Sequence, residues 1–299
     1  MVGCLTSPMT EPVFSPARYL TSLLRARLTL THLCTNTFHP GRLKMDEVVT
    51  THRLILVLRG HLLYKVDGAT AQISPGQQIF VPAWTRRVWH SKQRQTVEFS
   101  WFEFTADEAE ESLHTLFYRS CGNLALERDS LRRMVRLWPK NIPSTGLGFG
   151  DGPIDPLVQL QLEGEAKAML GRFWPQARPL NPDGVVTVSM AAEVHPDLKL
   201  ALAWLQENFL RPEALHALYG EIHLSPNHFR LLFRRVMGCS PQDYLHRLRL
   251  RRARHLVVDS DLPLKQIASQ VGFADPLFFS RQYHRFWGLS PRRDRSQKT

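Results

Sequence analysis

The sequence predicts an α+β chain of more than one domain. A small antiparallel β-barrel or jelly roll with flanking helices comes first, and an all-α part with two helix-turn-helix motifs follows. Three observations carry this reading. Short β-branched and aromatic runs, punctuated by turn residues, fill residues 18 to 104. From Pro196 the apolar spacing is helical almost to the end. Within that stretch one pattern occurs twice, about fifty residues apart: His228-Phe229-Arg230-Leu231-Leu232-Phe233 with Gly238-Cys239-Ser240-Pro241, then Phe278-Phe279-Ser280-Arg281-Gln282-Tyr283 with Gly288-Leu289-Ser290-Pro291.

The strands come in order. Residues 29–33 and 48–51 are β-branched and apolar, and residues 53–58 run apolar into the Arg59-Gly60 turn. Residues 62–66 meet Asp67-Gly68, a strong hairpin signal. Residues 71–73 lead into Ser74-Pro75-Gly76, residues 78–82 follow, and residues 97–104 alternate polar and apolar as a half-buried strand does.

After Thr105 the spacing turns helical. A helix is expected over residues 106–119 on Leu113, Leu116 and Phe117, and a second around Leu131, Met134, Val135 and Trp138. Residues 139–153, rich in Pro and Gly, read as a loop, and Asp155 to Phe173 as another helix. The first helix pair serves either as a dimer interface or as cover for the barrel. The Pro-rich stretch 174–196 reads as a linker. The expected division is residues 1–174, a linker over 175–195, and residues 196–299.

In the second copy, residues 264–271 form the first helix, Gly272 permits the tight turn, and Asp275 caps the next helix with Pro276 in its first turn. Phe279, Tyr283 and Phe286 are its expected buried face. In the first copy Ser225 is the cap, Pro226 follows, and Phe229, Leu232 and Phe233 face the core. Between the copies, residues 241–258 make one long helix with Tyr244, Leu245, Leu248, Leu256 and Val257 as its apolar stripe. Arg247, Arg249, Arg251, Arg252 and Arg254 are expected on its remaining surface.

The chain has 299 residues, 43% hydrophobic, and a net charge of +11. The excess is uneven: residues 196–299 hold 17 Lys+Arg against 9 Asp+Glu. Concentrated basic charge attracts phosphate by counterion release. Two like helices on a basic surface suit a long anionic partner with equivalent grooves, which points to duplex DNA. No stretch approaches the roughly 20 apolar residues of a membrane span. Residues 1–16 lack the pattern of a secretory signal. Cys4, Cys34, Cys121 and Cys239 form no C-x-x-C pair, which fits a reducing compartment and no structural zinc.

Residues 196–296 resemble the DNA-binding domain of the AraC/XylS family of transcription regulators. The matching signature runs from Leu262-Pro263-Leu264-Lys265-Gln266-Ile267-Ala268 through Val271-Gly272-Phe273, Phe279-Ser280-Arg281 and Gly288-Leu289-Ser290-Pro291. Ser225-Pro226, Phe233-Arg234-Arg235, Gly238 and residues 244–249 match as well. The resemblance implies seven helices with two motifs entering successive major-groove segments. Carried over by position, it implies base contact by Asn227 and Arg230 in the first motif and by Pro276, Leu277, Ser280 and Arg281 in the second. Backbone contact falls to Arg234, Arg235, His284 and Arg285. This chain departs from the pattern at Tyr219, His223, Leu231 and Asp294, so the first motif is expected to pack less closely and to read less well.

The strand-rich region is similar to the cupin-like sensor domain common in that family, on His52, Gly60, Pro75-Gly76 and Phe80-Val81-Pro82. No H-x-H pair occurs in residues 1–110, His39, His52, His61 and His90 lack ligand spacing, and Arg86 and Arg87 stand where a ligand His would follow. A guanidinium offers a metal no lone pair. No metal, cofactor or catalytic residue is therefore expected. Tyr64, Trp84, Arg86, Arg87 and Trp89 suit a planar or anionic effector; the other reading makes the Trp residues barrel core and the Arg residues solvated surface.

The expectation is a sequence-specific DNA-binding transcription regulator, not an enzyme, controlled by a small-molecule effector in its N-terminal domain. Its expected partners are double-stranded promoter DNA, that effector, a second copy of the chain and RNA polymerase, with no membrane. Its expected place is a bacterial cytoplasm, at the nucleoid. The alternatives are a cupin-type enzyme with an accessory DNA-binding module and a non-specific architectural DNA protein.

Overall fold

The computed structural model describes residues 21–22, 25–38, 44–66, 69–91, 95–107, 117–120, 124–138, 154–179 and 194–296. Strands come first: β1 (Arg27–Phe38), β2 (Lys44–Val49), β3 (His52–Arg59), β4 (Leu62–Val66), β5 (Ala69–Ile73), β6 (Gln77–Val81), β7 (Thr85–Ser91), β8 (Val97–Asp107) and β9 (Phe117–Ser120). Helices α1 (Leu124–Leu137) and α2 (Pro156–Phe173) follow, then a 3-10 turn (Trp174–Gln176) and the short β10 (Arg178–Pro179). Two antiparallel sheets result, of order β1-β8-β3-β6-β9-β10 and β2-β7-β4-β5.

The sheets face one another across an apolar interior. Ile55, Val57, Ile79 and Phe99 from the first meet Leu62, Tyr64, Ile73 and Trp89 from the second, with Trp89 edge-on to Phe99 at 5.4 Å. The outer face of the six-stranded sheet is buried too. Leu54, Leu56, Phe80, Phe102 and Phe104 pack there against Met134, Leu162, Phe173 and Trp174. This is why β3 and β6 read as unbroken apolar runs: both of their faces are covered.

Three expectations change. The helix expected over 106–119 is strand at both ends, because Ala106 and Asp107 extend the β1–β8 ladder and Phe117–Ser120 pairs with β6. Residues 108–116 lie outside the described residues, as do the Asp67-Gly68 turn, the loop at 139–153 and residues 180–193. The linker does not begin at 174 or 175, since the fully buried Trp174 sits edge-on to Phe80 at 5.1 Å and β10 pairs with β9.

Seven helices follow among the described residues: α3 (Pro196–Asn208), α4 (Ala214–Glu221), α5 (Pro226–Met237), α6 (Pro241–Asp259), α7 (Leu264–Gln270), α8 (Pro276–Trp287) and α9 (Pro291–Ser296). The third correction falls on α6. Arg249 is not on the surface but 5% exposed. It donates from Nε to the Phe209 carbonyl at 2.8 Å, from one terminal nitrogen to Gly272 at 2.8 Å, and from the other to Arg211 at 2.7 Å. One guanidinium thus joins the α3–α4 turn to the turn of the second motif.

The end of the sandwich that meets α6 is polar. Arg53 pairs with the Glu103 carboxylate at 2.8 Å, and Thr51 donates to Glu103 at 2.7 Å. Burial alone would push the Glu103 carboxyl up, yet Arg53 and the neighbouring His32, Thr51 and Arg251 hold it below the ordinary glutamate range. Burial keeps the His32 imidazole neutral, its pKa lowered to about 4, with Arg53 and Arg251 opposing its charge and Glu103 favouring it.

Two predictions follow from these bonds. Arg249→Met leaves three carbonyls without a donor and is expected to lower stability by about 3 kcal/mol or more. Arg249→Lys recovers only part, since one ammonium lacks the planar fork; urea denaturation of the three proteins checks this. His32 takes up its proton only when the chain unfolds, so stability falls as pH drops from 6.5 towards 4, by up to ~3 kcal/mol. His32→Leu is expected to flatten the urea midpoint between those pH values, and equal slopes in both proteins would exclude His32 as the group.

Candidate nucleic-acid interface

Both recognition helices are built by the same local chemistry. The Ser225 hydroxyl accepts from the His228 amide at 3.4 Å, and Asp275 accepts from the Leu277 amide at 2.8 Å, with Pro at the first helical position in each. Each helix closes on a left-handed glycine, Gly238 or Gly288. Phe229 and Phe233 in α5, and Phe279 and Tyr283 in α8, are fully buried at equivalent places. That burial turns the remaining positions outward. Phe286, expected in the buried face, is half-buried, and Trp287 takes the deeper position.

The turns before the two helices differ. Gly272 has φ +79, and a Cβ there would run into the Arg249 guanidinium, 2.7 Å from its central carbon. The first turn does not need glycine. Ile222 is extended, and His223 donates from its backbone to Asp197 at 3.1 Å while its ring meets the same carboxylate at 3.2 Å. Asp294, another departure from the expected pattern, is equally well placed. It accepts from the Tyr283 hydroxyl at 2.6 Å and from Arg254 at 3.0 Å, and Arg254 lies over the Trp287 ring at 4.5 Å. Burial and the Asp294 charge push the Tyr283 hydroxyl far above its ordinary range, so it stays a donor.

The structure exposes most residues expected to face DNA. Asn227, Arg230, Arg234 and Arg235 on α5 are exposed, as are Leu277, Arg281, His284 and Arg285 on α8. Pro276 and Ser280 are half-buried, and the Ser280 hydroxyl donates to the Pro276 carbonyl at 2.9 Å. Leu231 and Leu277 are both 71% exposed, so each recognition helix carries one outward leucine. Sequence reasoning did not single out Tyr219 as a partner for the interface. Its ring lies under Arg230, 5.6 Å from the guanidinium, and its hydroxyl accepts from Arg230 at 3.3 Å. Asn227 accepts from the same guanidinium at 3.2 Å. Among the described residues Arg281, by contrast, reaches only Asp275, at 4.0 Å with both side chains exposed.

The five residues expected to hold an effector do not share one face. Alternation along β7 sends Arg87 and Trp89 into the sandwich and Arg86 out of it. Tyr64 and Trp89 are core, and the buried Arg87 donates to the Tyr64 hydroxyl at 2.8 Å. Trp84 holds φ 61 and packs with Val48 against the cluster beneath α5. Arg86 lies against Gly238, since a Cβ there would stand 3.3 Å from its guanidinium. Cationic charge at a helix C-terminus is favourable. Among the described residues, no three His, Cys, Asp or Glu side chains are placed to hold a metal. No helix among them is long and apolar enough to cross a membrane.

Comparison with known proteins bears on both halves. A helix-turn-helix domain family matches residues 218–297. The HTH-type transcriptional activator RhaS of Shigella boydii is 38% identical over 95 residues, 32% of this chain and 34% of RhaS. RhaS of Escherichia coli K12 is 37% identical over the same length. The chain thus matches about a third of the length of these curated relatives. ToxT of Vibrio cholerae superposes with a TM-score of 0.54 over 90% of this chain and 98% of its own, at 11% identity, which is a likeness of fold. ToxT bound to an unsaturated fatty acid superposes equally well, at 12% identity over 91% of this chain and 96% of its own. Residues 218–297, which carry the twin capped helices, thus form a helix-turn-helix domain similar to that of these activators.

Proposed function

We propose that the chain is a sequence-specific DNA-binding transcription regulator whose N-terminal part answers to a small-molecule effector. One observation carries the reading. Two capped helices present different outward side chains, and the buried Arg249 joins the turn of the second motif to the helices beneath the first. A non-specific binder needs only charge, whereas two distinct polar faces fit readout of two unlike half-sites. The relatives named as transcriptional activators share this same third of the chain. Residues 196–299 serve in this reading as the DNA-binding part, the chain before residue 180 as the sensing part, and a second copy and RNA polymerase as further partners.

In this reading Asn227 and Arg230 contact bases from α5, and Pro276, Leu277, Ser280 and Arg281 from α8. Arg pairs with guanine, Asn with adenine, and leucine touches a thymine methyl. Arg234, Arg235, His284 and Arg285 approach phosphates. Genomic footprinting identifies the bound sites. Gel-shift titration of such a site against random DNA at one salt concentration then tests specificity, and equal affinities would exclude the regulator reading.

Arg281→Ala is expected to weaken binding to the footprinted site by ~1–3 kcal/mol while barely changing random-DNA affinity. An unchanged titration would remove Arg281 from the base contacts. Tyr219 positions Arg230 by stacking and hydrogen bonding, so Tyr219→Ala is expected to cost roughly 1 kcal/mol of site affinity. Tyr219→Phe, which keeps the ring, should fall between. Tighter binding by Tyr219→Ala would instead make the tyrosine a competitor of DNA for Arg230.

A further inference from the structure

The interior of the sandwich is filled by Tyr64, Trp89, Phe99 and their neighbours. The seam between the sandwich and α5–α6 leaves about 20 Å³, room for little beyond a water molecule. A larger cleft, about 490 Å³, opens between α1 and the outer face of the six-stranded sheet. That volume lies within the range of small-molecule sites.

One wall of the cleft is a row of Arg128, Arg132 and Arg136. The spacing i, i+4, i+8 puts all three on one face of α1, where like charges oppose helix formation. Little nearby balances them. Arg132 meets Asp129 at 3.0 Å with both side chains largely in water, where such a pair contributes little. Among the described residues, Arg128 and Arg136 have no ion-pair partner. Glu127, on the same helix, is turned inward to Arg172 at 3.0 Å. The floor carries one carboxylate, Glu98, and the Thr35 and Ser100 hydroxyls, bonded to one another at 2.8 Å. Leu58, Leu131 and Val135 supply apolar surface between these polar edges, and Val135 is 49% exposed.

We propose that this cleft binds a small organic anion, a carboxylate, sulfonate or phosphate ester on an apolar, ring-sized body. The arginine row holds the charge, Leu58, Leu131 and Val135 cover the body, and the floor hydroxyls and Glu98 select its polar substituents. The inference rests on the effector half of the reading above and gives that effector a place and a sign of charge.

The probe is 8-anilinonaphthalene-1-sulfonate, and N-phenyl-1-naphthylamine supplies the same rings without the sulfonate. The full chain is titrated with each dye at fixed salt and followed by fluorescence. The sulfonate is expected to saturate one site and to bind at least tenfold more tightly than the neutral dye. The triple variant R128Q/R132Q/R136Q should lose at least tenfold of the sulfonate affinity and none of the neutral dye's, while Lys265→Gln on exposed α7 leaves both unchanged. Val135→Trp, which fills the cleft without touching the charges, should also lose the sulfonate; it decides the matter if the triple variant does not fold. Equal affinity for both dyes, or sulfonate binding that survives the triple variant or Val135→Trp, overturns the proposal. Footprinted-site binding measured on the same wild-type protein separates the failures. Dye failure with specific DNA binding intact removes only the cleft, and loss of DNA specificity removes only the regulator.

Discussion

A guanidinium in the middle of α6 reaches three carbonyl oxygens from two separate stretches of chain. Arg249 holds Phe209 and Arg211 at the α3–α4 turn and Gly272 in the second motif. Backbone carbonyls at turns are the acceptors that helices leave unsatisfied, and a planar five-donor group suits several at once. Burial lowers the Arg249 pKa, but an arginine starts so high that it keeps its charge. The bonds are therefore charge-assisted, and they tie the two motifs into one body. Gly272 is required twice over, for its positive φ and because any side chain would displace this guanidinium. These bonds help to fix where α8 stands relative to α5.

The repeat shares a core and diverges in its fastenings. The second motif is closed by Tyr283, Asp294 and Arg254, a hydrogen-bonded set beneath α8 in which the neutral tyrosine and the arginine both donate to the buried carboxylate. The first is closed by the Asp197–His223 pair and an edge-on Tyr219–Phe229 contact at 6.1 Å. Tyr219, an expected weakness, instead carries Arg230 on its face. The Arg230 guanidinium is held by Tyr219 and Asn227, whereas Arg281 stands 4.0 Å from the exposed Asp275. Pre-ordering lowers the entropy cost of contact and also gives a bound contact something to displace. The two helices therefore differ in how their arginines are held as well as in their outward side chains.

Much of this was legible, because the signals were local. Ser225-Pro226 and Asp275-Pro276 mark the helix starts by chemistry that acts within four residues, and the structure places both as expected. The outward residues of α5 and α8 followed from the buried Phe and Tyr spacing. What the sequence hid was long-range. Arg249 looks like its neighbours Arg247 and Arg251, and only the fold brings Phe209 and Gly272 to it. Arg87, expected either to meet an effector or to lie on a solvated surface, is instead buried on Tyr64. Asp294 looked like a lost aromatic because its partners lie 11 and 40 residues away. Ala106–Arg119 read as helix because its leucine spacing outweighed the pairing of its ends with β1 and β6.

The contact between the two halves is chemically specific. Trp84 occupies a left-handed conformation that a tryptophan adopts only under constraint, and its ring meets the cluster beneath α5. Two residues on, Arg86 rests against the left-handed glycine that ends α5. At the other end of the seam, Glu103 and Arg53 face Arg247 and Arg251 of α6. The sandwich therefore touches the first motif at the C-terminus of its recognition helix and the bracing helix at its charged face. A strained turn relaxes if its partner moves away, and a cation at a helix terminus loses its favourable dipole on separation. Apolar packing crosses the same seam, with Val48 in the cluster beneath α5 and the sandwich interior joined to the cluster of α6, α7 and α8.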